Sequence, residues 1–260
     1  MYRKLRLVIA MDSIITAVLA FICVFGGALL GMHLRSRLPE SHLDQKSSDI
    51  VKLGMGLTGT MAALLLSLLL ASAKASFDTL SNEFTDVSSK IILLDRTLAH
   101  YGPETQYVRE RLRKSATMLL MGMQPSGQKP RGPQDGTRDR ELLYDGIQGL
   151  APSTDDQRFA KAHALDIAFA VGQTRWLMVE QRTNSVARPL LIVLVCWLTI
   201  IFISFGLFAP RNATVICTLF VCASSISGAI FLLLELYTPF TGVIQISNEP
   251  LRNAIAYLGQ

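Results

Sequence analysis

The residues that offer the clearest chemistry form a stripe of small and weakly polar side chains in the second of four apolar blocks. At the three- and four-residue spacing that shares one helix face, the stripe contains Gly56, Thr60, Ala63, Ser67, Ala71 and Lys74. Such a face can line a narrow pore, and the terminal lysine favours anions at the pore mouth. Small residues also suit close helix packing in lipid, so both interpretations stay open.

Sequence signatures of catalysis are absent. There is no nucleophile elbow, Walker loop, dinucleotide fingerprint, HExxH or kinase signature, and the four histidines lie in separate segments. Asp155 and Asp156 stand at a predicted helix start, where the helix dipole favours acids. Glu235, near the end of an apolar block, is an interfacial residue, a cation ligand or the partner of an Arg on another helix, and the first is favoured. We therefore predict no enzyme activity, no metal site and no cofactor.

Composition places the chain in a lipid bilayer. Half of the 260 residues are apolar, only 17% are charged, and the apolar residues are concentrated in long blocks. The net charge of +5 fits the basic residues that orient membrane spans, so we predict no nucleic-acid binding. The cysteines show no metal-ligand spacing and are predicted to be small buried apolar residues: Cys23, Cys196, Cys217 and Cys222.

Four apolar blocks are long enough to cross a bilayer, and we predict an all-α polytopic membrane protein. The spans cover roughly residues 14–32, 53–73, 190–208 and 214–236. The first block is favoured as an uncleaved span over a signal peptide, because it exceeds a typical signal core and no convincing cleavage site follows. Within it, Gly27 and Gly31 would let another helix approach closely.

The basic residues near the span ends predict the orientation. One side carries Arg3, Lys4, Arg6, Lys74, Arg182 and Arg188, and the other carries Arg35, Arg37, Lys52 and Arg211. This excess places both termini and the long central region in the cytoplasm. The predicted domains are an N-terminal membrane hairpin over 1–76, a cytoplasmic helical region over 77–187, a second membrane hairpin over 188–240 and an amphipathic C-terminal helix over 241–260.

The second span is predicted to continue beyond the membrane as one helix, because no Gly or Pro occurs between Thr60 and Tyr101. Its apolar residues keep a heptad spacing that is typical of a packed stalk: Leu66, Leu70, Ala73, Phe77, Leu80, Phe84, Val87, Ile91, Leu94, Leu98 and Tyr101. Gly102 and Pro103 are expected to end the helix. The spacing leaves open whether the stalk packs within one subunit or between subunits.

A second stalk helix is predicted to start at Ser153 and to lead into the third span at Pro189. We expect it to pack antiparallel to the first through Ala162, Leu165, Phe169, Gly172, Trp176 and Val179. Between the stalks, a flexible linker is predicted over 122–138. A helix before that linker carries Arg109, Arg111, Arg113 and Lys114, which either bind anionic lipid headgroups or a nucleotide, or form a solvated face, the favoured interpretation.

Five stretches resemble the bacterial bestrophin-like family, and together they cover almost the whole chain. They are AALLLSLLLASAKASFD (62–78), LLDRTLAHYGPE (93–104), RWLMVEQ (175–181), FGLFAPRNATV (205–215) and ISNEPLRNAI (246–255). The resemblance implies a pentameric channel in the bacterial inner membrane, with four spans, cytoplasmic termini and second helices that line the pore. Because the chain lacks an aromatic-rich neck and an acidic calcium clasp, calcium gating is not expected.

The polar residues of these stretches have predicted structural roles. Asp95 and Arg96 lie on the first stalk helix, and Arg175, Glu180 and Gln181 lie on the helix expected to pack against it. Ion pairs between the two helices are expected to set their register. Pro210 and Asn212 are expected to shape the turn between the third and fourth spans, with Arg211 at headgroups or a pore entrance.

Three functions are compatible with this layout. The favoured one is an oligomeric ion channel, with anions preferred over cations. A non-conducting membrane scaffold or sensor, acting through its cytoplasmic helices, is the main alternative. An ion-driven motor stator shares the arrangement of spans but needs a partner subunit with a membrane acid, and layout alone is weak support for it.

Overall fold

A computed structural model describes residues 2–37, 45–123, 133–181, 188–240 and 242–259, with side chains described over 13–37, 49–121, 141–178, 189–240 and 242–259. Within these ranges the chain is helical and has no strand. The helices are α1 (Tyr2–Arg35), α2 (Gln45–Tyr101), α3 (Gln106–Met123), α4 (Pro133–Gln148), α5 (Asp155–Gln181), α6 (Arg188–Phe208), α7 (Ala213–Leu236) and α8 (Glu249–Tyr257).

Four of these helices are long and apolar enough to span a membrane, which confirms the predicted fold class. The spanning stretches lie within Ser13–Arg35, Asp49–Tyr101, Pro189–Phe208 and Ala213–Leu236. As predicted, α2 runs for 57 residues to Tyr101 without a break. The chain divides into two compact units, a membrane unit (Leu7–Ser76 and Ser185–Ile244) and a helical unit (Met1–Arg6, Phe77–Asn184 and Gln245–Gln260).

The membrane unit is built around the α6–α7 hairpin, whose side chains enter two apolar clusters. One cluster joins α6 and α7 to α1 through Val24, Ala28, Met32, Ile201, Phe202, Leu219 and Ala223. The other joins them to α2 through Ala62, Leu69, Ala73, Leu194 and Leu233. In lipid, the burial of apolar side chains between helices gives no hydrophobic driving force, because the lipid tails are equally apolar. Close van der Waals contact must therefore hold these helices together.

Glycines provide that contact where α1 crosses α6. A Cβ on Gly31 would lie 2.0 Å from the carbonyl oxygen of Ile203, and a Cβ on Gly206 would lie 1.9 Å from that of Ala28. Both positions therefore require glycine. This confirms that the glycine pair of the first span permits close approach, whereas sequence analysis missed the reciprocal glycine on α6.

Two arginines tie the end of α1 to the turn between α6 and α7. Arg35 donates a hydrogen bond to the carbonyl oxygen of Ala209, and Arg211 donates one to that of Met32. Asn212 accepts from the Val215 amide at 3.1 Å and caps α7. The turn is thus held by polar contacts on both sides.

The helical unit contains the extension of α2, and the predicted seam is buried within the single chain from Leu80 onward. Nearer the start of the seam, Leu66 and Phe77 are half-buried and Leu70 is exposed. Leu80, Phe84, Val87, Ile91, Leu94, Leu98 and Tyr101 are all buried. Gly102, with φ of 138°, ends the helix in a conformation that favours glycine. The Thr105 hydroxyl then donates to the carbonyl oxygens of Leu98 and Gly102. The structure therefore decides that this seam packs within the subunit.

The start of α5 lies at the end of α2, as an antiparallel arrangement requires. Gln157 donates from Nε2 to the Tyr101 carbonyl oxygen at 3.1 Å. Its backbone amide is capped by the Thr154 hydroxyl, so the cap is Thr154, whereas sequence analysis expected Ser153. Ser153 instead donates to the Gln157 side chain.

Three other expectations need correction. The buried residues of α5 are Ala164, Ile167 and Met178, and the stripe predicted to pack on α2 is wrong because its Ala162, Phe169 and Trp176 are exposed. Helix α4 begins at Pro133, inside the stretch predicted as a linker, while residues 124–132 lie outside the described part of the chain. The cysteines predicted to be buried are all exposed on the span surfaces.

Candidate functional site

The stripe of small residues on α2 is the first candidate site, and the membrane unit leaves it uncovered. All six residues, Gly56, Thr60, Ala63, Ser67, Ala71 and Lys74, are exposed in the single chain. Only 11% of the most apolar window of α2 is buried, against 22–33% in the other three spans. The second span is therefore the one that its own chain covers least.

The polar groups of this stripe are already satisfied along the helix. The Thr60 hydroxyl donates to the Leu57 carbonyl oxygen at 2.7 Å, and the Ser67 hydroxyl donates to that of Ala63 at 2.8 Å. Because each hydroxyl proton is already bonded within the helix, only a weakly polar oxygen faces the surroundings and no donor is left unpaired. The stripe can therefore face a water-filled path or another helix at low cost.

Large apolar side chains occupy the neighbouring face of α2. Leu53, Leu57, Leu64 and Leu68 are 64–77% exposed. With 3.6 residues per turn, they lie beside the small stripe and away from the buried face that contains Ala62 and Leu69. The transmembrane part of α2 thus has one face for its own chain, one small and polar face, and one apolar face suited to lipid or to another subunit.

A second polar constellation lies in the helical unit, around Asp95. This carboxylate is 2% exposed and accepts two hydrogen bonds of 2.8 Å from Nε and Nη2 of Arg109 on α3. It also accepts the amide of Gly259, just after α8, at 3.3 Å. One carboxylate therefore holds α2, α3 and the C-terminal segment together.

Asp95 stabilises the charged form of Arg109. The hydrogen bond to Asp95 raises the pKa of the Arg109 guanidinium, as does the charge of Asp95, while burial acts in the opposite direction. The expectation that Asp95 pairs with the second stalk helix is wrong, because its partner lies on α3. Sequence spacing had shown that Arg109 lies in a basic cluster, but it contained no signal for this long-range contact.

The remaining cations of that cluster face outward. Arg113 and Lys114 are exposed, and Arg111 lies 4.9 Å from the ring centre of Tyr107 while donating to its hydroxyl at 2.7 Å. With Arg109 engaged by Asp95, three of the four predicted lipid-binding cations remain on the surface.

The other predicted site residues are dispersed. Arg96 is exposed on α2, and Arg175 on α5 lines a cavity of about 630 Å³ in the helical unit. The side chains of Glu180 and Gln181, and residue Arg182, lie outside the described part of the chain. Pro210 is exposed in the turn before α7.

The acids considered as candidate sites lie in different helices. Asp155 pairs with Arg158 on the surface of α5. Glu235 is fully buried at the end of α7, where one carboxylate oxygen accepts the Val243 amide and the other has no hydrogen-bond partner. Within the described residues, no group of three or more potential ligands surrounds a metal position.

A family profile described as a Bestrophin-like domain matches residues 22–251, which include the C-terminal part of α1 and everything from α2 into α8. The chain belongs to the Bestrophin-like family. A search of the curated proteins finds no significant match. The family profile therefore gives the classification of this Bestrophin-like chain, and solved structures show its fold.

Solved structures have the same fold. Two are single-substitution variants of a bacterial bestrophin homologue from Klebsiella pneumoniae; one has 14% identity with a TM-score of 0.66 and the other 17% with 0.63. The first match covers 94% of this chain and 99% of the other, and the second covers 91% and 99%. A third structure, described as a membrane protein, matches with 15% identity, a TM-score of 0.65 and coverage of 94% and 99%. At these identities the likeness establishes the fold.

Proposed function

We propose that this Bestrophin-like chain forms a ring of subunits, expected to be five, that conducts ions along an axis lined by the second spans. The observation that supports this most is the exposed stripe on α2, from Gly56 to Lys74, on the span that its own chain covers least. An uncovered face of small, internally satisfied residues suits a narrow aqueous path. The family profile gives the classification, the solved structures show the fold, and the pore is our inference for this chain.

Charge favours anions over cations in this proposal. Lys74 ends the stripe on its exposed face, and no acidic residue occurs on α2 between Asp49 and Asp78. The stripe itself carries one cation and no carboxylate, which lowers the barrier for anions and raises it for cations. We therefore expect chloride to permeate more readily than potassium.

The proposed orientation follows the distribution of basic residues. Lys and Arg near the span ends favour a cytoplasmic location for both termini and for the helical unit, in a bacterial inner membrane. The domain boundaries near residues 76, 188 and 241 belong to the same proposal.

The first test is the mass of the purified protein in nanodiscs, followed by chloride and potassium flux from liposomes. A ring of about five subunits is expected, with chloride flux that Ser67→Trp reduces at least about tenfold, because an indole at this position would fill a narrow path. Ser225→Trp is the matched control, since Ser225 is an exposed serine on α7 with its hydroxyl bonded to the Val221 carbonyl oxygen.

Selectivity is tested with Lys74→Glu, which should lower the chloride-to-potassium permeability ratio. A monomer or dimer without flux would refute the channel and favour the non-conducting scaffold or sensor. Equal reduction by Ser67→Trp and Ser225→Trp would place the conducting path elsewhere than the stripe.

A further inference from the structure

The membrane unit contains an apolar crevice where the start of α2 lies beside the end of α6. Its volume is about 500 Å³. Apart from Lys52 and Ser204, every residue that lines it is apolar or a glycine. Its walls are formed mainly by Val51, Met55 and Gly59 of α2 and by Ile201, Phe205 and Phe208 of α6. The crevice therefore suits a hydrocarbon.

The crevice runs inward from one surface of the membrane. Helices α2 and α6 are antiparallel, because later residues of α2 share an apolar cluster with Leu194, whereas its first residues share the crevice with the end of α6. Lys52 is the last charged residue before the uncharged stretch of α2, and α6 ends at Phe208. Lys52 therefore lies at the mouth of the crevice. Gly59 lies seven residues deeper, about 10 Å along the helix.

Glycines keep the crevice open. A Cβ added at Gly56 or Gly59 would meet no atom within 4 Å, whereas the glycines where α1 crosses α6 are in close contact. A glycine inside a helix costs about 1 kcal/mol relative to alanine. Close packing within the chain does not explain these two glycines, and their effect is to leave space beside α6. Gly56 lies at the border between this crevice and the α2 stripe.

Positive charges surround the mouth of the crevice. Lys52 lines it, and Arg35 at the end of α1 donates a hydrogen bond to the carbonyl oxygen of Ala209, another lining residue. Arg211 follows in the same turn. Asp49 lies 3.7 Å from Lys52, in an exposed pair that contributes at most about 1 kcal/mol. Among the described residues, three cations and one acid leave the mouth with a net positive charge.

The dimensions of the crevice fit a hydrocarbon chain and are too small for a helix. A volume of about 500 Å³ over a length of about 10 Å gives a mean cross-section of about 50 Å². A helix that is 10–12 Å across needs roughly 80–110 Å². An acyl chain is narrower than a helix, and the chains of bilayer lipids run in the same direction as the crevice, inward from the membrane surface.

A molecule with an apolar chain and an anionic head matches both parts of this site. Lipid tails are as apolar as the walls of the crevice, and arginine and lysine form charge-assisted hydrogen bonds with phosphate. We propose that the crevice between α2 and α6 binds one acyl chain of an anionic phospholipid from the surrounding bilayer, with the phosphate at Lys52 and Arg35. The site is independent of the proposed pore, since all of its residues belong to one chain.

Photo-crosslinking of the full chain tests this site. The protein is reconstituted in nanodiscs that contain a phosphatidylglycerol with a diazirine at mid-chain, irradiated and digested, and the adducts are located by mass spectrometry. We expect adducts within residues 55–59 and 201–205, which line the crevice below its mouth. Phosphatidylcholine with the same labelled chain should give about fivefold fewer adducts, because its choline cancels the charge of the phosphate.

One pair of variants tests the crevice itself. Gly59→Leu should reduce labelling of residues 201–205 on the order of tenfold, because the new side chain occupies the space of the lipid chain. Gly54→Leu is the matched control, since Gly54 is an exposed glycine of the same helix that does not line the crevice. An added Cβ meets no atom within 4 Å at either position, so both variants should fold, and their Tm values check this.

A second pair tests the charge at the mouth. Lys52→Gln should lower the preference for phosphatidylglycerol at least about twofold, because it removes one of the two cations assigned to the phosphate. Arg37→Gln should leave the preference unchanged, since Arg37 is an exposed cation just after α1 that does not line the crevice.

The results that would overturn the site are specific. An absence of adducts at residues 55–59 and 201–205 overturns it, and this is the result expected if side chains of a second copy fill the crevice. Equal reduction by Gly59→Leu and Gly54→Leu overturns it as well. Equal labelling by the two lipids, or a preference that Lys52→Gln does not change, refutes the anionic headgroup at the mouth. A chain that forms no ring and conducts no ions could still bind the lipid.

Discussion

Asp95→Ala should destabilise the helical unit more than removal of any exposed acid on the same helix. The substitution leaves the Arg109 guanidinium without its two 2.8 Å partners and removes the acceptor of the Gly259 amide. Removing one partner of a buried ion pair lowers the free energy of unfolding by about 3–5 kcal/mol. Because the Arg109 side chain is 22% exposed, water partly compensates it, and we expect a cost near the lower limit, about 3 kcal/mol.

Thermal unfolding of the purified protein in detergent, followed by tryptophan fluorescence, measures this effect. In a protein of this size about 1 kcal/mol moves Tm by roughly 2–4 °C, so a fall of roughly 6–12 °C is expected. Hydrogen exchange of the α8 amides should rise in parallel, since the C-terminal segment loses its bond to Asp95. Arg109→Ala and the double variant complete a cycle that isolates the pair.

Asp86→Ala is the matched control, because Asp86 pairs with Lys90 at 2.6 Å on the exposed surface of the same helix. A pair of this kind, four residues apart on a helix, contributes less than about 0.5 kcal/mol. If Asp95→Ala lowers Tm no more than Asp86→Ala does, the carboxylate does not hold α2, α3 and α8 together, and the reasoning fails.

Two further predictions concern close packing and a buried hydroxyl. Gly31→Ala and Gly206→Ala should each force α1 and α6 apart and lower Tm in the same assay, whereas Gly228→Ala, with nothing within 4 Å of the added carbon, should not. Equal effects would refute the crossing. Thr105→Val should lower the free energy of unfolding by about 1–3 kcal/mol, because it removes the donor to two carbonyl oxygens at the end of α2. Thr117→Val removes only an exposed donor and should change the free energy of unfolding little.

The test of the α2 stripe complements these stability measurements. Ser67→Trp should affect flux without lowering Tm, since Ser67 is exposed in the single chain. Asp95→Ala should lower Tm whether or not the protein conducts.

The sequence by itself determined the class of the protein, its four spans, the unbroken length of α2 and the buried seam from Leu80 to Tyr101. These features depend on the order of residues along one helix, because hydropathy sets the spans and the three- and four-residue spacing sets the faces. Gly102 and Pro103 ended α2 where the sequence predicted, since they act locally.

Only the tertiary structure decided which element each face meets. It paired Asp95 with Arg109 on α3, buried Ala164, Ile167 and Met178 of α5 in place of the predicted stripe, and showed that the α2 seam packs within one chain. Helical spacing shows which residues share a face, but the neighbour of that face depends on contacts between segments far apart in the chain. Which aromatic rings of α5 stay exposed depends on the same long-range contacts.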